Sequence, residues 1–198
     1  ISPYTTEFVE AHGRYFLYSP VFTVLFAPFA YLPAWLGPFA WNLFNYSLFF
    51  MAIFTLPQQF TQQQKCRMFL FLLLILGQSL LSFQYNITVA YLFLFAYTLL
   101  EKDRGFLAVL FIMISGCTKV YGIFELALLL CYPHVWRNFG YAVTMGIVLL
   151  ALPLIKIAPA DLLPYYEEWC HSLAVHQSAG AYDSFFYARP IVAWTLPH

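Results

Sequence analysis

The feature that most constrains this chain is where charge is missing. No Asp, Glu, Lys or Arg occurs between Arg14 and Lys65, between Arg67 and Glu101, or between Arg137 and Lys156. A charge at the centre of a bilayer costs a few kcal/mol or more, and a helix needs roughly 20 apolar residues to cross one. Long charge-free runs of Leu, Phe, Ile, Val and Ala therefore predict an all-α polytopic membrane protein whose remaining charges mark its loops. Composition agrees, because 9% charged residues against 62% hydrophobic ones leave too little polar surface for a soluble domain of 198 residues. A net charge of zero excludes the basic footprint of a nucleic-acid binder, so membrane lipids are the expected surroundings. Cys66, Cys117, Cys131 and Cys170 show no paired spacing, and no Asp-x-Asp pair occurs. Neither a metal nor a cofactor is expected.

The pattern lays out one transmembrane domain. It predicts an outer loop over 1–17, then a re-entrant or interfacial short helix over 18–33, punctuated by Pro20, Pro28 and Pro33. Membrane segments follow at 38–56, 68–82, 87–100, 105–118, 120–132 and 138–154. An outer loop covers 155–190, and 191–198 starts another span. With no initiating methionine and an apolar run under way at its end, the chain reads as an internal fragment. Lys and Arg accumulate in cytoplasmic loops. Placing Lys65 and Arg67 inside puts Lys102, Arg104 and Arg137 inside as well. The Phe83–Asn86 turn, Lys119 and the loop after Lys156 then fall outside. The alternative is a single long span over 106–132, which would bury Lys119 and move Lys102 and Arg104 to the outer face.

Two interruptions of the apolar runs invite chemical readings. Gln84 and Asn86 are amides at a membrane boundary, where a sugar hydroxyl or a phosphate would satisfy them. The plainer reading makes Asn86 the N-cap of the helix that begins at Ile87. Lys119 is an ionisable residue within an apolar stretch, and its compact cation suits a phosphate oxygen. Its plainer readings are snorkelling to the interface or pairing with Glu125, although six residues do not place the two on one α-helical face. The outward carboxylates Glu7, Glu10, Asp161, Glu167, Glu168 and Asp183 include any general base this chain could supply. Glu167 and Glu168, beside Trp169 and His171, also fit an amphipathic interfacial helix.

Taken in order, Tyr15-Phe16-Leu17-Tyr18-Ser19-Pro20, Phe26-Ala27-Pro28-Phe29, Leu32-Pro33, the Gln84-Tyr85-Asn86 turn and Lys119-Val120-Tyr121 resemble glycosyltransferase family 87. That is a GT-C family of polyprenol-phosphate-mannose-dependent mannosyltransferases. The chain departs from the family pattern at Ser19 in place of the first Pro, at Phe83 where Gly is common, and at Gly122 in place of Pro. Phe83-Gln84-Tyr85-Asn86 is also similar to the His-Phe-Gln-Tyr-Asn motif of lipid-phosphate-glucose-dependent glucosyltransferases of the N-glycan pathway.

The resemblance implies a GT-C-like helix bundle in the bacterial inner membrane. Its activity would be transfer of a hexose, above all mannose, from a polyprenyl-phosphate sugar donor to a lipid or glycan acceptor of the cell envelope. It assigns Lys119 to the donor phosphate, Gln84 and Asn86 to the sugar or the pocket wall, Tyr121 to the same donor region, and Tyr18 to the lipid entrance. His176 and Gln177 would line the acceptor side. The catalytic base of the family is an aspartate of the first outer loop, which would precede Ile1, with Glu7 and Glu10 as weaker substitutes. A transporter or flippase shares the broken apolar pattern but is often built from repeats. No second Gln-x-Asn or Lys-x-Tyr step occurs here. A non-catalytic polytopic subunit would tolerate replacement of Lys119 and Gln84.

Overall fold

Proline sets the beginning of the fold. A computed structural model describes residues 2–4, 16–81 and 84–178, and those residues form helices joined by turns, with no strand among them. Pro20 occupies the first turn of α1 (Pro20–Leu25), where its missing N–H costs nothing. Pro28 cannot donate to Val24, so the helix breaks at Phe26 and restarts as the single turn α2 (Ala27–Ala30). The expected short helix over 18–33 is thus broken into two pieces by proline chemistry.

The bundle follows. α3 (Leu36–Phe54) ends where the Lys65 ammonium donates to the carbonyls of Leu56 (2.6 Å) and Phe54 (3.3 Å), which stand beyond or at the helix end without helical partners. α4 (Gln62–Leu81) begins six residues before the expected segment. Thr61 and Gln64 close a reciprocal capping box there, with the Thr61 N–H donating to Gln64 Oε1 at 2.8 Å and the Gln64 N–H to Thr61 Oγ1 at 3.3 Å. α5 (Asn86–Leu100) and α6 (Gly105–Thr118) are joined by a tight turn in which Asp103 takes φ 53°. α6 then packs on α7 (Val135–Ala151), which runs on through one 3-10 turn, Leu152–Ile155. Gly105 sits at the α6–α7 contact, where a Cβ would come within 2.4 Å of Asn138 Oδ1.

The run from 105 to 132 is two segments lying side by side. The chain turns at Lys119, whose backbone is extended (φ −138°, ψ 121°), and continues as a 3-10 helix over Val120–Cys131. Gly122, Glu125 and Leu129 face inward. The first two are one 3-10 turn apart. At Gly122 a Cβ would meet the Ser115 carbonyl oxygen at 2.7 Å, so the bare glycine lets the 3-10 helix lie against α6. Beyond α7, the stretch expected as a long outer loop contains a 3-10 turn, Pro159–Asp161, and a further helix, α8 (Leu162–Ser178).

The interior is mostly apolar, but many large apolar side chains lie on the outside and several polar ones are buried. Trp136 is 89% exposed and Leu74 83%, whereas Asn45, Thr88, Ser115, Thr118 and Asn138 are buried. Thr88 Oγ1 donates to Asn45 Oδ1 at 2.5 Å, linking α5 to α3 through polar groups in the interior. Among the described residues one helix, Val135–Ile155, is long and apolar enough to cross a membrane, and Asn86–Leu100, Gly105–Thr118 and Val120–Cys131 are apolar but shorter. At 1.5 Å per residue α5 and α6 reach about 22 and 21 Å, and the 3-10 segment reaches about 24 Å, all below the ~30 Å of a hydrocarbon core.

Polar groups gather at the two ends of the bundle. One end holds the Asp103–Arg137 ion pair (3.6 Å), the Tyr132 hydroxyl on Glu101, and Gln59 Nε2 on the Tyr97 hydroxyl. The other holds Lys119, the 84–86 turn and the segment that precedes α1.

Candidate functional site

Three pieces of chain build the site, and backbone chemistry brings them together. The last carbonyls of α6 lack helical partners. Ser19 answers two of them, its N–H donating to the Thr118 carbonyl at 3.2 Å and its hydroxyl to the carbonyl of Cys117. That pins residues 17–19 against the Lys119 turn. On the other side of the strap, the Tyr4 hydroxyl donates to the Tyr18 carbonyl (2.8 Å) and Trp169 Nε1 to the Leu17 carbonyl (3.1 Å), so α8 covers the same strap. Burial, with Tyr165 and Tyr166 nearby, holds the Tyr4 phenol well above the ordinary tyrosine range and keeps it a donor.

The turn before α5 is docked by its central residue. Tyr85 is fully buried and its hydroxyl shares a 2.7 Å hydrogen bond with Thr118 Oγ1. Its ring lies edge-on to Phe22, Phe26 and Tyr18 at 5.4–5.9 Å. With Tyr85 turned inward, Gln84 and Asn86 on either side share a bond of their own, Asn86 Nδ2 donating to Gln84 Oε1 at 2.9 Å. The Tyr85 N–H also points at the Tyr18 hydroxyl (3.4 Å).

Lys119 meets this turn. Its Nζ donates to Asn86 Oδ1 at 2.7 Å and lies 4.7 Å from the Tyr121 ring centroid and 5.5 Å from that of Tyr18. The Tyr121 hydroxyl donates to the same Asn86 oxygen. Among the described residues no carboxylate lies within ion-pair distance of Lys119. The site is therefore a half-buried cation flanked by two ring faces and held by a neutral acceptor. Such a cation is suited to an oxyanion, because a charge removed from water gains most from a charged, hydrogen-bonded partner.

Behind the Tyr18–Phe22 stack (4.5 Å between centroids) lies an apolar cavity of about 80 Å³, lined by Phe22, Phe26, Phe29, Ala30 and Trp41 with Thr23. It is well below the roughly 300–1,000 Å³ of small-molecule pockets and is almost wholly apolar, with the Thr23 hydroxyl donating to the Pro20 carbonyl.

Lys119, Asn86, Gln84, Tyr121 and Tyr18, singled out in the sequence, stand within one hydrogen-bonded and ring-contact cluster. Two of the plainer readings fail. Asn86 is not an N-cap: Tyr85 holds that position without a side-chain bond, and the Asn86 side chain is committed to Gln84, Lys119 and Tyr121. Glu125 does not pair with Lys119. It accepts from Ser115 Oγ at 2.7 Å inside the α6 contact. His176 and Gln177 fall in the last turn of α8, with side chains outside what the structure describes. Glu7, Glu10, Phe83, Asp183 and 191–198 lie outside the described residues.

Sequence reasoning missed Tyr85, Thr118 and Ser19. A tyrosine between two amides, and a threonine next to the interrupting lysine, were the signals available. Among the described residues no three His, Cys, Asp or Glu side chains gather as metal ligands.

The model of one protein family, glycosyltransferase family 87, matches residues 16–190. No curated protein and no solved structure matches the chain.

Proposed function

The chain belongs to glycosyltransferase family 87 and is thus a membrane glycosyltransferase, and on that premise we propose that it moves mannose from a polyprenyl-phosphate donor to a lipid or glycan acceptor on the outer face of a bacterial inner membrane. The observation that carries this reading is Lys119, a half-buried cation with two aromatic faces, a neutral acceptor and no carboxylate partner among the described residues.

In this reading Lys119 and the Tyr121 hydroxyl hold the donor phosphate. The acceptor hydroxyl oxygen attacks the anomeric carbon, the bond from that carbon to the phosphate oxygen breaks with its electron pair going to the oxygen, and the polyprenyl phosphate departs. Lys119 stabilises the charge gathering on that leaving oxygen. A carboxylate takes the acceptor's proton. The resemblance assigns that role to an aspartate of the first outer loop. Gln84 faces the sugar, Tyr18 the lipid path, and His176 and Gln177 the acceptor. The bundle crosses the membrane several times, with the shorter helices completed by their polar ends and by tilting or thinning of the bilayer.

The test is transfer of labelled mannose from polyprenyl-phosphate-mannose in membranes carrying the full-length protein. Lys119→Ala is expected to lose about tenfold or more, the worth of one charge-assisted hydrogen bond. Gln84→Ala is expected to lose less. Full transfer by Lys119→Ala at equal expression would overturn the reading.

A further inference from the structure

We propose that Asn86 determines which headgroups this site accepts: its side-chain oxygen stands where a ligand's anionic oxygen goes, and binding exchanges one for the other. The proposal rests on the donor-phosphate reading of Lys119 and adds the neutral group that a phosphate must displace.

Lys119 Nζ and the Tyr121 hydroxyl donate to one atom, Asn86 Oδ1. An amide oxygen has two lone pairs, and these two donors use both. Asn86 cannot turn its amide nitrogen toward them, because both neighbours are donors and Nδ2 is already committed to Gln84 Oε1 at 2.9 Å. An ammonium and a phenol from one turn thus converge on a single point held by an uncharged acceptor from another. Lys119 Nζ also lies over the ring faces of Tyr18 and Tyr121.

An oxyanion placed at that point keeps both hydrogen bonds and adds a full charge opposite Lys119. A neutral headgroup offers nothing that the amide does not already supply. Asn86 therefore acts as a threshold: a phosphate oxygen displaces it, and an alcohol or an amide does not. The ligand class is a phosphate-bearing lipid headgroup or a free phosphate, which present the same oxygen to the two donors.

The test measures binding of farnesyl phosphate, inorganic phosphate and farnesol to the purified full-length protein in detergent, for wild type, Asn86→Ala, Asn86→Asp and Lys119→Ala. Asn86→Ala, which has no competing acceptor, is expected to bind farnesyl phosphate several-fold tighter than wild type. Asn86→Asp, which pairs with Lys119 as an anion, is expected to bind it about tenfold or more weaker. Farnesol binding is expected to tighten only in Asn86→Ala, where no amide competes for the two donors. If Asn86→Ala tightens inorganic phosphate as well, headgroup chemistry alone drives the exchange. If it tightens only farnesyl phosphate, the prenyl chain contributes, and either result supports the exchange.

Unchanged or weaker farnesyl phosphate binding by folded Asn86→Ala, or wild-type binding by Asn86→Asp, would overturn it. Asn86→Ser, too short to reach both donors, replaces the alanine variant if that one unfolds. Wild-type binding by Lys119→Ala would bring down the donor-phosphate reading together with the exchange. Loss in Lys119→Ala without gain in Asn86→Ala would bring down the exchange alone.

Discussion

At the scale of single residues, a buried hydroxyl pair links two of the turns that build the site. The Tyr85–Thr118 bond joins the turn bearing Gln84 and Asn86 to the turn bearing Lys119. Tyr85→Phe removes one buried hydroxyl and leaves the Thr118 hydroxyl its bonds to the Ile114 and Ser115 carbonyls. It should cost about 1 kcal/mol of stability, read as a lowered unfolding temperature in detergent, and reduce mannose transfer by loosening the two turns. Glu125→Gln should retain transfer within about twofold, because the amide oxygen still accepts from Ser115 and no cation among the described residues pairs with the carboxylate. A collapse of transfer in Glu125→Gln would mean that Glu125 serves Lys119 after all. Lys119, Gln84 and Asn86 were legible in the sequence because each interrupts an apolar run. Tyr85 and Thr118 were not, because tyrosine and threonine are ordinary within such runs and their partnership spans 33 residues of chain.

Among the elements, the Lys119 turn works because the 3-10 helix Val120–Cys131 lies directly on α6. Gly122→Ala would force a methyl toward the Ser115 carbonyl and hydroxyl, at 2.7 and 2.5 Å. The expected cost is about 1–3 kcal/mol, visible in thermal unfolding, with loss of transfer from displacement of Lys119. Thr61→Ala, by contrast, removes one side of a capping box far from the site and should cost about 1 kcal/mol with transfer preserved. Apolar runs were enough to locate α3, α5, α6 and α7 to within a few residues at most ends. The start of α4 was missed because its first turn is glutamine-rich and reads as loop, although Thr61 and Gln64 have the spacing of a cap. The 3-10 form of 120–131 was illegible, since a short apolar run carries no clear preference between a period of 3.0 and one of 3.6. α8 was only half legible, because its first two turns mix Leu and Tyr with Glu167 and Glu168.

For the whole molecule, the proposed layout puts the end carrying Lys119 and α8 outward and the end carrying Asp103 and Arg137 toward the cytoplasm. The exposed native cysteines offer a probe of that orientation. Cys170 lies on α8, while Cys66 and Cys131 belong to the opposite end. A membrane-impermeant maleimide applied to intact cells should label Cys170 and should reach Cys66 and Cys131 only after permeabilisation. Equal labelling of all three before permeabilisation would reverse or abolish the proposed layout.

The central claim, that the donor phosphate binds at Lys119 and Tyr121, between the turns at Tyr18 and Asn86, is tested most directly by photocrosslinking. A polyprenyl phosphate carrying a diazirine next to the phosphate would be bound to the full-length protein in membranes, irradiated, and its adducts mapped by mass spectrometry. Adducts concentrated at residues 18–22, 84–86 and 119–121, and competed away by unlabelled polyprenyl phosphate, are the expected result. Adducts concentrated at 101–104 and 134–138, with none at Lys119, would contradict the account.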